Sequence, residues 1–114
     1  MKNEKLYFTL FNHDVTEPFT HPVLKNVDVI VTEGWLGPVV SKKTRPSELL
    51  VHAKNIIQVY QVFVTNIACV CPHAPLVMTL PEYTRLPDAV FPAIVAHASA
   101  LGYQINDIGI YSRK

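Results

Sequence analysis

The chain has 114 residues, 49% of them apolar and 17% charged, with a formal net charge of +1. That length and composition fit one globular domain over residues 1–114 with a substantial core, and exclude a disordered chain. A charge so close to neutral excludes recognition of nucleic acid or an anionic membrane by bulk charge alone.

The first element is a strand over residues 5–11, rich in aromatic and branched side chains. It ends at the polar turn Asn12-His13-Asp14. Pro18 and Pro22 break the next stretch, leaving room for one short helical turn over residues 21–25. A second strand covers 27–31, a nearly continuous apolar run of the kind seen when both sheet faces are covered. It stops at a turn reading Thr32-Glu33-Gly34-Trp35-Leu36-Gly37-Pro38. A loop with Lys42, Lys43 and Arg45 follows.

A helix starts near Pro46, a residue suited to the first helical turn, with Thr44 or Ser47 as cap. Leu49, Leu50, Ala53, Ile56, Ile57, Tyr60, Val64 and Ile67 keep a helical period. Residues 56–64 favour strand by propensity, but some twenty residues without Pro or Gly is long for a strand. The second half of this helix is apolar nearly all round, so it belongs in a core or at a subunit contact. Pro72 and Pro75 end it. A third strand covers 76–80 and closes on Pro81-Glu82-Tyr83. A second helix opens at Asp88 or at Pro92. Its inner stripe is Ile94, Val95, Ala98 and Leu101, and Gly102 stops it. The last strand covers 103–112. Strands alternating with helices predict an α/β fold with a mostly parallel sheet of about four strands and two main helices.

Cys69 and Cys71 are too close in sequence for ordinary disulfide geometry, so they read as reduced, buried structural thiols in a cytoplasmic protein. With His73 they make a C-x-C-x-H spacing, which is not a usual zinc pattern, and no metal site is expected. The first fourteen residues carry no secretory pattern. Gln58, Gln61 and Asn66 interrupt the apolar region 56–71, so no membrane span is expected. His52 and His97 have no carboxylate at i+3 or i+4 and read as structural or surface residues. No phosphate-binding glycine loop or nucleophile elbow is present.

Chemistry concentrates in the turn after residue 31. Ligands of open α/β sheets bind beyond the carboxyl ends of strands. Glu33 is placed there to accept hydrogen bonds from an amine, and Trp35 to stack on a flat ring. An exposed turn acid and a core-edge tryptophan account for the same residues. Asp14 follows the first strand in the same way. It is either a ligand carboxylate or an ordinary turn Asp. Lys42, Lys43 and Arg45 read as a solvated loop that also suits a phosphate backbone.

The order of these segments resembles a known family. Asp14 after a strand, VDVIVTEGWLGP, a long helix, LVMTLPEY, a helix ending in LGY, and DIGIYSRK resemble the C-terminal half of a class I S-adenosylmethionine-dependent methyltransferase. The likeness covers residues 5–114 and is nearest to the RNA guanine-N2 methyltransferase type. It implies an incomplete Rossmann-like fold. It implies that Asp14 contacts the adenine of S-adenosylmethionine, and that Thr32, Glu33, Gly34 and Trp35 form the catalytic turn around a target amino group. Pro81, Glu82 and Tyr83 would line the substrate side. RNA or DNA is the implied partner.

Gly34 stands where the family usually has proline. The family's glycine-rich loop and the acid ending its second strand have no counterpart in these residues, so the chain is expected to be inactive by itself. The family sheet runs 3-2-1-4-5-7-6, and this chain would supply strands 3, 4, 5 and 6. Unpaired buried backbone groups are costly. The strands are therefore expected to re-pair, as 3-4-5-6, or to recruit strands from another chain, with homo-oligomers as one outcome. The rival expectation is a small α/β binding or assembly module.

Overall fold

A computed structural model describes residues 11–33, 37 and 40–106. A short 3₁₀ turn at Pro22–Asn26 precedes strand β1 (Ile30–Thr32). Helix α1 (Pro46–Val70), strand β2 (Leu76–Met78) and helix α2 (Phe91–Ala100) follow. The two strands are parallel, with Ile30 opposite Leu76, Val31 opposite Val77 and Thr32 opposite Met78. The architecture is a β–α–β crossover with a second helix on the same face.

Helix α1 holds the molecule together. Leu49, Ala53, Ile56, Tyr60, Phe63, Val64 and Ile67 recur every three or four residues and are all buried. At about 1.5 Å per residue its 25 residues span about 37 Å. Packing therefore overrides the strand propensity of residues 56–64. The backbone N–H of Cys71 bonds to the Ile67 carbonyl at 2.8 Å, and Pro72 stops the helix there. At the other end Pro46 sits in the first turn, and Arg45 at the cap makes no side-chain bond. The expected caps are not used. The Thr44 hydroxyl instead accepts from the Ser41 N–H at 2.9 Å, closing the preceding turn.

Two clusters follow one another along α1. Ala53, Ile56 and Tyr60 pack with Val90 and Ile94, joined by Met78, Leu80 and Tyr83. Phe63, Val64 and Ile67 pack with Phe19, Ile30, Leu76, Ala98 and Tyr103. Ile56 and Val64 are fully buried, each contributing about 1.5–3 kcal/mol of apolar transfer.

The sheet departs from expectation in several ways. Among the described residues it has two strands, not four. Residues 103–106 form no strand, and Phe11 is exposed outside any strand. The rest of the 5–11 and 103–112 strands lies outside the described residues. The expected strands 27–31 and 76–80 shrink to three residues each. β1 is displaced toward the turn because Val27 and Pro75 sit in the amino-edge loops: the Val27 carbonyl contacts His73 Nε2, and the Pro75 carbonyl receives the Ile30 N–H. Among the described residues one sheet face is covered, not both. Ile30, Leu76 and Met78 pack on the helices, whereas Val31 is 72% exposed and Val77 45%. The apolar run in β1 thus reflects β-branched propensity more than two-sided burial.

Helix α2 starts with Pro92 in its first turn, as expected, but Asp88 does not cap it. Asp88 lies in the preceding turn with φ +60°. The cap comes from Glu82, whose Oε1 accepts the N–H groups of Val90 at 2.6 Å and Phe91 at 2.8 Å. Ile94 is the buried residue of its inner stripe. Leu101, placed on that stripe by periodicity, is 38% exposed because the helix has already ended. Gly102 follows at φ +99°, with N–H bonds from Gly102 to Ser99 and from Tyr103 to Ala98 closing the end.

Candidate functional site

The carboxyl edge of the parallel pair is where this fold gathers polar groups. β1 ends at Thr32, and the Thr79 N–H donates to its carbonyl at 3.3 Å, extending the ladder past the last pair. The next carbonyl, of Glu33, takes two hydroxyl donors. Tyr60 reaches it from α1 and Thr79 from the end of β2, each at 3.3 Å. Both are long for hydroxyl bonds, so the carbonyl is held lightly from two sides. The Glu33 side chain is exposed at the same place. The Tyr60 hydroxyl is pushed to higher pKa, first by burial and second by the Glu33 charge.

Gly37 closes this edge. Its φ is +86°, and a Cβ there would stand 2.6 Å from Ile56 Cδ1 and 3.2 Å from the Tyr83 hydroxyl. The Tyr83 oxygen is buried and has no hydrogen-bond partner among the described residues. Burial also pushes its pKa up. Tyr83 sits in a turn tied by the Leu86 N–H to its carbonyl at 3.0 Å. Arg85 within that turn donates to the carbonyls of Ser41 and Thr44 at 2.9 Å, and to that of Lys42 at 3.5 Å. The loop with Lys42, Lys43 and Arg45 is thereby pinned at the same edge, with those three side chains exposed.

The structure thus brings Thr32, Glu33, Pro81, Glu82 and Tyr83 to one edge. Glu82 is turned to the start of α2, where its carboxylate is used as a cap. Gly34 and Trp35 lie outside the described residues. Asp14 is elsewhere. Its Oδ1 accepts from the Thr16 N–H at 2.9 Å and the Thr16 hydroxyl at 2.7 Å, and these two bonds hold its carboxyl below the usual range. The same loop is fixed to α1 by Asn66, whose Nδ2 donates to the carbonyls of Val15 and Glu17. Asn66 is six residues past Tyr60, about 9 Å further along α1 toward the amino edge. Asp14 is therefore not joined to the Glu33 edge.

The cysteines split. Cys71 is buried, its thiol donates to the Leu24 carbonyl at 2.9 Å, and burial raises its pKa. Cys69 is exposed, contrary to the reading of both as buried. Among the described residues no cluster of His, Cys, Asp and Glu could hold a metal ion. Among them, too, no helix is long and apolar enough to cross a membrane.

The sequence passed over Tyr60 and Thr79. Tyr60 looked like one more apolar position on the α1 stripe, and Thr79 like a strand former. The available signal was the hydroxyl of Tyr60 on a buried stripe, since a buried Tyr O–H usually seeks a partner. A shallow cleft between the helices was also missed. It holds about 240 Å³, lined by Gln61, Val62, Thr65, Asn66 and His97. His97 Nε2 there lies 2.7 Å from the Thr65 hydroxyl. That hydroxyl already donates to the Gln61 carbonyl, so His97 is the donor in its pair.

Comparison with known proteins finds no matching protein family, no matching curated protein and no matching solved structure.

Proposed function

We propose that this chain supplies the substrate-holding edge of a methyltransferase-like domain of the S-adenosylmethionine-dependent type. The group held is an exocyclic amine of an RNA or DNA base. The observation that carries the reading is the exposed Glu33 carboxylate, with the Thr79 hydroxyl bonded to the carbonyl of the same residue, at the carboxyl edge of a parallel strand pair. Such an edge offers acceptors, and an amine offers the matching N–H donors. Positioning of this kind is the larger part of what amine transfer asks of a protein. The parallel β1–β2 pairing also agrees with the adjacency that the resemblance implies for the family's fourth and fifth strands. On this reading the chain by itself transfers no methyl group.

Titration with guanosine, adenosine and cytidine, followed by backbone amide shifts, tests the reading. Saturable shifts are expected at Thr32, Glu33, Thr79 and Tyr83. Shifts scattered over the surface, or none, would remove it. Calorimetry with S-adenosylmethionine is expected to show no binding. Saturable binding would overturn the inactive-alone part.

A second reading is favoured by a separate observation. Val31 and Val77 leave one sheet face open, and parallel sheets usually have both faces covered. The chain would then be an assembly module in which a second copy covers that face. Light scattering after size exclusion is expected to give a dimer that Val31→Lys dissociates. A monomer at every concentration would exclude it.

A further inference from the structure

We infer that Thr79 is a specificity-determining residue of the carboxyl edge, and that it admits hydrogen-bond donors and turns away acceptors. The inference rests on the substrate-edge reading above and goes beyond it in naming the residue that sets the choice.

A threonine hydroxyl has one hydrogen and two lone pairs. In solution it rotates, and it offers a ligand whichever the ligand needs. Thr79 is not free in that way. Its hydrogen is aimed at the Glu33 carbonyl 3.3 Å away, while its backbone N–H is spent on the Thr32 carbonyl. What remains for a ligand is acceptor capacity only. The side chain is exposed, so those lone pairs are reachable. Thr79 also continues the alternation that puts Val77 on the uncovered sheet face and Met78 on the covered one. It therefore faces a ligand arriving over the open face at the strand ends.

Tyr60 makes the arrangement directional. It reaches the same carbonyl from the helix side. A carbonyl oxygen has two lone pairs, and here each has a hydroxyl donor. The carbonyl is thus occupied, and the acceptors presented to a ligand are Thr79 Oγ1 and the exposed Glu33 carboxylate. Both suit an N–H donor, and both repel a carbonyl or phosphate oxygen in the same position. This predicts discrimination between bases that carry an amine and the same bases with oxygen in its place. An unpaired polar group gives such discrimination more readily than a difference in size does.

The experiment measures nucleoside affinity by amide shifts for three pairs: adenosine against inosine, cytidine against uridine, and guanosine against xanthosine. Each pair exchanges an exocyclic amine for a carbonyl. The wild-type chain is expected to prefer the amine member. Thr79→Val, which keeps the shape and removes the hydroxyl, is expected to weaken the amine member roughly 2- to 10-fold and leave its partner unchanged. Thr79→Ser keeps the hydroxyl and is expected to retain the preference. A structural role alone would weaken both members of a pair equally. If the wild type prefers amines and Thr79→Val leaves that preference intact, this inference falls and the substrate-edge reading stands. If the wild type binds none of the six, both fall.

Discussion

Glu82 gives the most direct test of how this edge is built. Val90 caps α2 without a side-chain bond, and the Glu82 carboxylate takes the first N–H groups instead. Glu82→Ala leaves those two donors without their acceptor. Loss of a side-chain cap costs about 1 kcal/mol. Loss of a negative charge from a helix N-terminus costs about 0.3–1 kcal/mol more. The total is about 2 kcal/mol, because Val90 is fully buried and water reaches its N–H poorly. Glu82→Gln keeps the oxygen and loses the charge, so only about 0.3–1 kcal/mol should disappear. Urea unfolding followed by far-ultraviolet circular dichroism reads both. At about 5 °C per kcal/mol for a domain of this size, Glu82→Ala should melt about 10 °C below wild type. The Gln variant should fall between them, and added salt should narrow its gap from wild type. If Glu82→Ala lies within about 0.5 kcal/mol of wild type, the carboxylate is not the cap, and it is available to a ligand.

Other outcomes follow from the same geometry. Gly37→Ala should cost about 2 kcal/mol, from the left-handed backbone and from the 2.6 Å approach to Ile56 Cδ1. Adding Ile56→Val, which removes that carbon, should make the pair less than additive in urea titration. Thiol labelling of the native chain should proceed at exposed Cys69 and spare Cys71, whose raised pKa and burial keep it a thiol. Equal rates would contradict the burial of Cys71. Stability should fall with alkaline pH. Cys71, Tyr60, Tyr83 and Tyr103 all have raised pKa values from burial, so the folded chain keeps protons that the unfolded chain releases near pH 9 and 10. The unfolding free energy should decline above about pH 8 as these groups titrate in the unfolded chain. A rise over that range would reverse the sign of these shifts.

The helices were readable in the sequence because their causes are local. Pro46, Pro72, Pro92 and Gly102 mark the four ends of α1 and α2 within a residue or two, and α1 repeats its apolar residues at the helical spacing for about five turns. The strands were half readable. Short apolar runs told where β1 and β2 lie, but not how many residues pair, because pairing depends on a partner 46 positions away. Caps were misread for a related reason. Thr44, Ser47 and Asp88 are close in sequence to helix starts, whereas α2 takes its cap from Glu82, eight residues upstream of Val90. The strand end just before Glu33 was legible. The partners of the Glu33 carbonyl were not, since Tyr60 lies 27 residues away and Thr79 46. The placing of the Asp14 loop was not legible either, since it is fixed by Asn66, about fifty residues away on α1.

The two clusters on α1 bear on how the molecule folds and how it reports a ligand. Three-residue strands carry few ladder bonds, and their partners are joined by a chain segment that is mostly this one helix. The sheet therefore cannot outlast the helix. Closing so long a loop is worthwhile only once the helix has shortened it and laid both strands against its apolar stripe. Sheet and helix should melt in one step. Since the Glu33 carbonyl is held by a hydroxyl on that helix, a molecule bound at the carboxyl edge should raise the midpoint of the helical signal itself. Circular dichroism of α1, some distance from any ligand, then becomes a measure of occupancy.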